Sequence, residues 1–95
     1  TRRPIPKMQA TAGTILIIGH TYNGPVPASL RQRYPTNWDL GAARAAAVAK
    51  AIAAWGVSAS RIRVVSAAGN EPLSPGNTPA DRANNNRVQI LIFRH

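Results

Sequence analysis

A single stretch, from Trp38 to Trp55, limits the possible folds of this sequence more than any other feature. It contains nine alanines and no proline, and alanine has the highest helix propensity of all residues. Thr36 and Asn37 supply candidate N-cap side chains, while Gly56 provides a C-terminal stop. Apolar residues at three- and four-residue spacing predict that one face of this long helix packs against a sheet. They are Leu40, Ala47, Val48, Ala51, Ile52 and Trp55.

Short apolar runs on either side of this helix predict three β-strands. They are Thr14–Ile18, Arg61–Val65 and Val88–Phe93. The last run is apolar at five of six positions, which favours a strand that is central or covered on both faces. Residues 20–35 contain three prolines and are predicted to form a long loop. Thr78-Pro79-Ala80-Asp81 predicts the start of a short helix. The order of these elements predicts an α/β sandwich with helices on one face of a sheet.

Length and charge restrict the classes of function. Ninety-five residues make one domain, and twelve Lys and Arg against three acids give a net charge of +9. Such a charge favours an anionic partner, whether nucleic acid, acidic substrate or cell-wall polymer. The chain has no cysteine, which excludes disulfides, thiolate nucleophiles and zinc fingers. No apolar run approaches the ~18 residues of a membrane span.

Catalysis and specific nucleic-acid binding both lack the residues that they need. Asp39, Glu71 and Asp81 are scattered, and the two aspartates lie at helix starts where capping explains them. His20 is a lone histidine at a strand end, and no Gly-x-Ser-x-Gly motif or metal-ligand cluster accompanies it. The arginines are dispersed and do not alternate with aromatic residues. The sequence therefore predicts no enzyme, no cofactor, no metal site and no specific nucleic-acid partner.

Arg44 is the residue that packing alone explains least well. It lies one turn after Leu40 on the apolar stripe, in the half of the helix where the dipole does not favour a cation. Either an anion meets its guanidinium, or its methylenes cover the core while the charge reaches solvent. The residues by themselves leave both interpretations open.

Three blocks of sequence, taken together, resemble the OmpA-like peptidoglycan-binding domain. This family includes modules of outer-membrane protein A, peptidoglycan-associated lipoprotein, the flagellar stator and type VI secretion anchors. The resemblance covers roughly residues 14–93, and the joint occurrence of the blocks is more specific than any one of them. The blocks are Ile18-Gly19-His20-Thr21, Asn37-x-x-Leu40-x-x-x-Arg44-Ala45-x-x-Val48 and Asn77-Thr78-x-x-x-Arg82-Ala83-x-Asn85-x-Arg87-Val88-x-Ile90. Tyr34-Pro35-Thr36-Asn37-Trp38 is most similar to the stator and secretion-anchor branches.

The resemblance implies a β-α-β-α-β-(α)-β fold with helices on one face of a mixed sheet. It also implies that the first strand and most of the first helix precede this chain. Residues 1–13 are then a lead-in, with Ile5–Ala12 as a remnant of that helix, and residues 14–95 are the OmpA-like domain. The implied location is the periplasm, where the parent protein is attached to the cell envelope.

The implied function is non-covalent binding of the meso-diaminopimelate in the peptidoglycan stem peptide. Arg44 matches the family arginine that pairs with the diaminopimelate carboxylate. Asn37 matches a pocket asparagine that can bind the ligand or cap the helix. Thr21 belongs to the Gly-His-Thr motif that leads into the pocket, and Arg87 keeps the second position of the family's arginine pair.

Two departures from the family pattern fall in the same pocket. Tyr22 stands where the family has the aspartate that accepts the diaminopimelate ammonium, and Asn86 stands where it has an arginine. Asp81 also replaces a usual glycine. Restoring Tyr22→Asp is expected to strengthen binding, with a further gain from Asn86→Arg. The alternative is a degenerate copy that serves as a structural or assembly module among the subunits of an envelope machine such as a secretion system.

Overall fold

The computed structural model describes residues 13–93, which form a three-stranded mixed sheet covered on one face by a long helix. Strand β1 lies in the centre, parallel to β2 and antiparallel to β3. This arrangement confirms the predicted fold class, whereas the predicted remnant Ile5–Ala12 lies outside the described residues. The elements are β1 (Ile15–His20), α1 (Ala28–Arg31), α2 (Asn37–Ala54), a 3-10 turn (Ala59–Arg61), β2 (Ile62–Ala68), α3 (Pro79–Asn85) and β3 (Arg87–Ile92).

The core lies between β1 and α2. Ile15 and Ile17 are fully buried on one face of β1, where they pack with Ala45 and Ile52 of α2. Alternation along a strand sends every second side chain to the same face, so this pair is buried by the helix together. Packing of α2 over the centre of the sheet fixes where the two ends of the helix lie relative to β1.

Local capping signals set the helix boundaries as the sequence predicts. The Thr36 hydroxyl accepts the backbone N–H of Asp39, and the Asp39 carboxylate accepts the N–H of Thr36. Such a reciprocal capping box satisfies two donors that a helix start leaves unpaired. Thr78 and Asp81 repeat it at the start of α3. Gly56 follows α2 with φ +108°, a left-handed conformation that favours glycine.

The buried face of α2 differs from the predicted stripe. Ala47 and Ala51 are exposed, whereas Gly41 and Ala45 face the sheet. Leu40 and Ile52 are buried as predicted, and Val48 packs against the core. The buried face therefore extends beyond the predicted stripe to Gly41 and Ala45, small residues that permit close approach to the strands. Gly41 meets Gly19 of β1, and a Cβ placed on Gly19 would overlap the carbonyl oxygen of Gly41.

Two other expectations are wrong in detail. The segment predicted as a loop contains α1, which begins after Pro27 and is closed by hydrogen bonds from Leu30 and Arg31 to the Pro27 carbonyl. A proline in front of a helix is tolerated because its missing N–H would have no helical partner there. Strand β3 was expected to be central or covered, but it is an edge of the sheet formed by the described residues. Its Leu91 is exposed because α2 covers only the opposite face.

Asn85 fastens the segment that follows β2 to the end of α3. Its side chain is 2 % exposed, its Oδ1 accepts the N–H groups of Leu73 and Ser74, and its Nδ2 donates to the Ser74 carbonyl. An asparagine side chain carries both a carbonyl oxygen that accepts and an NH2 group that donates, so one residue satisfies all three backbone groups.

We therefore expect Asn85→Ala to lower the free energy of unfolding by about 2–3 kcal/mol, since it leaves backbone groups without their partners. Chemical denaturation followed by circular dichroism measures the change. Asn84→Ala is the matched control, because Asn84 is exposed and makes one side-chain bond to Ser74. Equal and small losses in the two variants would show that Asn85 does not hold this segment.

Candidate functional site

An open groove of about 420 Å³ lies beside the N-terminal half of α2. The segment after β1, helix α1, helix α2 and the end of α3 together form its walls. The close contact of Gly19 with Gly41 brings these elements together, since it seats α2 against the end of β1. The lining residues are Tyr22, Pro25, Val26, Pro27, Arg31, Asn37, Leu40, Arg44, Arg82 and Asn86.

Arg44 projects from α2 into this groove. Its Nη1 donates to Asn86 Oδ1 at 2.8 Å, and no carboxylate among residues 13–93 pairs with it. Partial burial lowers the pKa of Arg44 from its ordinary value because desolvation disfavours the charge, yet an arginine remains a cation at neutral pH. The guanidinium thus presents an unneutralised charge to the groove.

Asn86 connects two walls of the groove. Its Oδ1 accepts both Arg44 Nη1, at 2.8 Å, and the backbone N–H of Tyr22, at 2.9 Å. An asparagine oxygen has two lone pairs and satisfies both donors without adding charge. An arginine at this position would remove the acceptor and place a second cation beside Arg44, so the structure argues against the expected gain from Asn86→Arg.

Tyr22 forms part of the wall and leaves the groove open. Its ring lies against Gly24, where an added Cβ would overlap the ring carbons. The Arg82 guanidinium lies over the ring, 5.2 Å from its centroid, within the range of a cation–π contact. The Tyr22 ring therefore contacts both Gly24 and Arg82.

Asn37 is the first residue of α2 and reaches across to the segment after β1. Its Nδ2 donates to the Gly24 carbonyl at 2.8 Å. Thr36, and not Asn37, supplies the N-cap side chain, so the capping role left open for Asn37 falls to its neighbour. Within the described part of the chain, the Asn37 side-chain oxygen has no hydrogen-bond partner and can accept one from a ligand.

The other two predicted site residues do not line the groove. Thr21 is 3 % exposed and donates its hydroxyl to the Tyr22 carbonyl at 3.0 Å, which supports the wall from behind. Arg87 donates through Nη2 to the Glu71 carbonyl at 3.1 Å. The structure thus brings together four of the six predicted residues: Arg44, Asn37, Tyr22 and Asn86.

His20, the residue considered as a general base, is fully buried. Its Nε2 lies 2.5 Å from Gln89 Oε1, and it is not part of the groove wall. A histidine enclosed in this way has no access to a substrate, so its position fits a structural role. In residues 13–93, no three potential ligand side chains gather as a metal site requires, and no helix has the length and hydropathy to span a membrane.

Two groove arginines were not predicted from the sequence. Arg31 lies on α1 and donates to the Val26 carbonyl at 2.9 Å, while Arg82 lies on α3 and stacks on Tyr22. The sequence feature that could have indicated Arg82 as a groove residue is its position in the third sequence block. Arg31 carried no signal, because its segment was predicted as a loop. With Arg44, these residues give the groove three guanidinium groups.

The fold and the groove define a small α/β domain that presents cationic side chains beside one long helix. Comparison with protein families identifies it: the model of the OmpA family matches residues 6–87. The chain belongs to the OmpA family, and the resemblance predicted from the three sequence blocks is confirmed. A search of curated proteins found no match.

Solved structures from both predicted branches, and one of a peptidoglycan-associated lipoprotein, share the fold. The cell wall anchor of the type VI secretion system from Pseudomonas aeruginosa is 33 % identical, with a TM-score of 0.79 over 93 % of this chain and 59 % of that chain. The peptidoglycan-associated lipoprotein from Burkholderia pseudomallei is 29 % identical, with a TM-score of 0.72 over 84 % and 62 %. The C-terminal domain of Helicobacter pylori MotB, at 24 % identity, shares the fold with a TM-score of 0.79 over 93 % and 64 %. The chain thus spans less than two thirds of these chains.

Proposed function

We propose that this domain is a non-covalent peptidoglycan anchor of a larger cell-envelope protein, and that it acts in the periplasm. Its groove would hold the diaminopimelate of the stem peptide. The observation that carries the proposal is Arg44, an unneutralised guanidinium in an open groove at the position of the family's ligand-binding arginine. The similar structures named as a cell wall anchor and as a peptidoglycan-associated lipoprotein support it.

The chemistry of the groove suits a carboxylate-bearing peptide. A guanidinium and a carboxylate form two parallel hydrogen bonds, a pairing that is stronger and more directional than one between neutral groups. Arg44 uses one nitrogen on Asn86, which holds the side chain in place and leaves the remaining donors for a ligand. The free oxygen of Asn37 can accept a hydrogen bond from a peptide N–H. One charge-assisted contact contributes about 1.5–3 kcal/mol.

Cosedimentation of the domain with purified sacculi tests this proposal. We expect the protein to pellet with sacculi, and an excess of soluble stem peptide to release it. The competitor separates groove binding from general attraction between a protein of charge +9 and an anionic polymer. Binding that salt removes but stem peptide does not would contradict the proposal.

A second candidate function is an assembly module within an envelope complex. It is favoured by the exposed apolar side chains Leu91 and Phe93 near the edge of the sheet, which are 41 % and 47 % exposed. Failure to pellet with sacculi, together with copurification of an envelope protein that is lost on Leu91→Asp, would favour this function over the anchor.

Asn86→Arg is expected to weaken sacculus binding about tenfold, although the family pattern contains an arginine there. The substitution removes the acceptor that holds Arg44 and Tyr22 in place, and it adds a like charge that repels Arg44. A titration with sacculi at constant ionic strength measures the effect. Arg87→Ala is the control outside the groove, and a gain in affinity for Asn86→Arg would contradict the bridging role of Asn86.

A further inference from the structure

The groove contains no acidic side chain. The chain has only three acids in all, and each lies elsewhere: the Asp39 and Asp81 carboxylates close the caps of α2 and α3, and Glu71 is exposed outside the groove. Against them stand three groove guanidiniums, those of Arg31, Arg44 and Arg82. The groove as a whole is therefore cationic and has no counter-charge for a cation.

The side-chain terminus of diaminopimelate carries both a carboxylate and an ammonium. The carboxylate finds guanidinium donors in this groove. The ammonium finds no carboxylate among the lining residues, and Tyr22 offers it a phenol ring, which cannot form the ion pair that a carboxylate would. One face of the Tyr22 ring already carries the Arg82 guanidinium. An ammonium placed here loses water, gains no ion pair and is repelled by the arginines.

We infer that, if the proposed function holds, this groove recognises the carboxylates of the stem peptide and does not require the diaminopimelate ammonium. Tyr22 is the residue that sets this specificity. The groove accordingly accepts stems whose side-chain nitrogen is acylated, as it is in a cross-link, and rejects stems whose side-chain carboxylate is amidated. Acylation removes one positive charge from the ligand, whereas amidation removes one negative charge. A cationic groove therefore binds the acylated stem more tightly than the amidated one.

Three synthetic stem tripeptides that end in diaminopimelate test the inference by calorimetry at about 0.15 M salt, where exposed charges are screened. One carries a free side-chain terminus, one is N-acetylated there, and one has the side-chain carboxylate amidated. We expect the acetylated peptide to bind as tightly as the free one, or up to about tenfold more tightly. The amidated peptide is expected to bind at least about tenfold more weakly.

Tyr22→Asp is expected to reverse the preference between the first two peptides. The new carboxylate gives the ammonium a partner, so the free peptide should bind several-fold more tightly than the acetylated one. Tyr34→Asp is a matched control, because Tyr34 also stacks with an arginine, Arg33 at 5.4 Å, but lies outside the groove. It should keep the wild-type order of the three peptides.

The outcomes separate this inference from the proposed function. If acetylation weakens wild-type binding tenfold or more, the groove reads the ammonium, and the inference is overturned while the anchor function stands. If none of the three peptides binds, the proposed function fails and the inference fails with it. The wild-type comparison decides the question even if circular dichroism shows that Tyr22→Asp does not fold.

Discussion

Arg44→Ala is expected to reduce the affinity for sacculi by about 10- to 100-fold, which corresponds to the loss of one charge-assisted carboxylate contact. The fold should remain, because the guanidinium makes a single side-chain bond to Asn86 and alanine suits the middle of a helix. Cosedimentation measures the affinity, and circular dichroism verifies the helix content.

Lys50→Ala is the matched control for this variant. It removes one positive charge from the same helix, at an exposed position outside the groove. If attraction to sacculi reflects only the net charge, the two variants should lose equal affinity. A folded Arg44→Ala protein that binds like Lys50→Ala would remove Arg44 from the site and favour the assembly module.

Gly19→Ala, which adds a single methyl group, is expected to destabilise the domain strongly, and more than Gly56→Ala. The new Cβ would overlap the carbonyl oxygen of Gly41, which belongs to the backbone of α2 and cannot move without lifting the helix. We expect a loss of about 4 kcal/mol or more, a large share of the ~5–15 kcal/mol that stabilises a typical domain. Denaturation with urea measures it.

Gly56→Ala is the contrasting variant. A Cβ at Gly56 meets nothing within 4 Å, so its cost comes only from the left-handed backbone, at φ +108°. That cost should be about 1–3 kcal/mol. If Gly19→Ala is no more destabilising than Gly56→Ala, helix α2 does not pack closely against β1 at Gly19. The contact between Gly19 and Gly41 would then not be what positions α2 beside the groove.

The sequence predicts correctly those structural features, such as helix ends, that are determined by residues close together along the chain. The start of α2 follows from Thr36 and Asp39, which cap the helix three residues apart, and its end follows from Gly56. The place of Gly41 and Ala45 in the buried face of α2 was not predictable in this way. It depends on contact between Gly41 and Gly19, which come from different elements, and alanines on all sides weaken the hydrophobic pattern that would otherwise reveal the buried face.

The same distinction applies to the groove. Arg44 stood out because a cation on an apolar stripe needs an explanation. The part played by Asn86 was hidden, because its oxygen receives donors from two residues far away in sequence, Tyr22 and Arg44. Arg31 reaches the groove only because α1 folds within a segment whose prolines predicted a loop.

A nuclear magnetic resonance titration of the 15N-labelled domain with stem peptide tests the central claim most directly. The account predicts shifts for the Arg44 Nε–H, the side-chain amides of Asn37 and Asn86, and the backbone N–H of Tyr22. It also predicts little change at Leu91, on the uncovered face of the sheet. Shifts that cluster around Leu91, with Arg44 unperturbed by saturating peptide, would contradict the assignment of this groove as the peptidoglycan site.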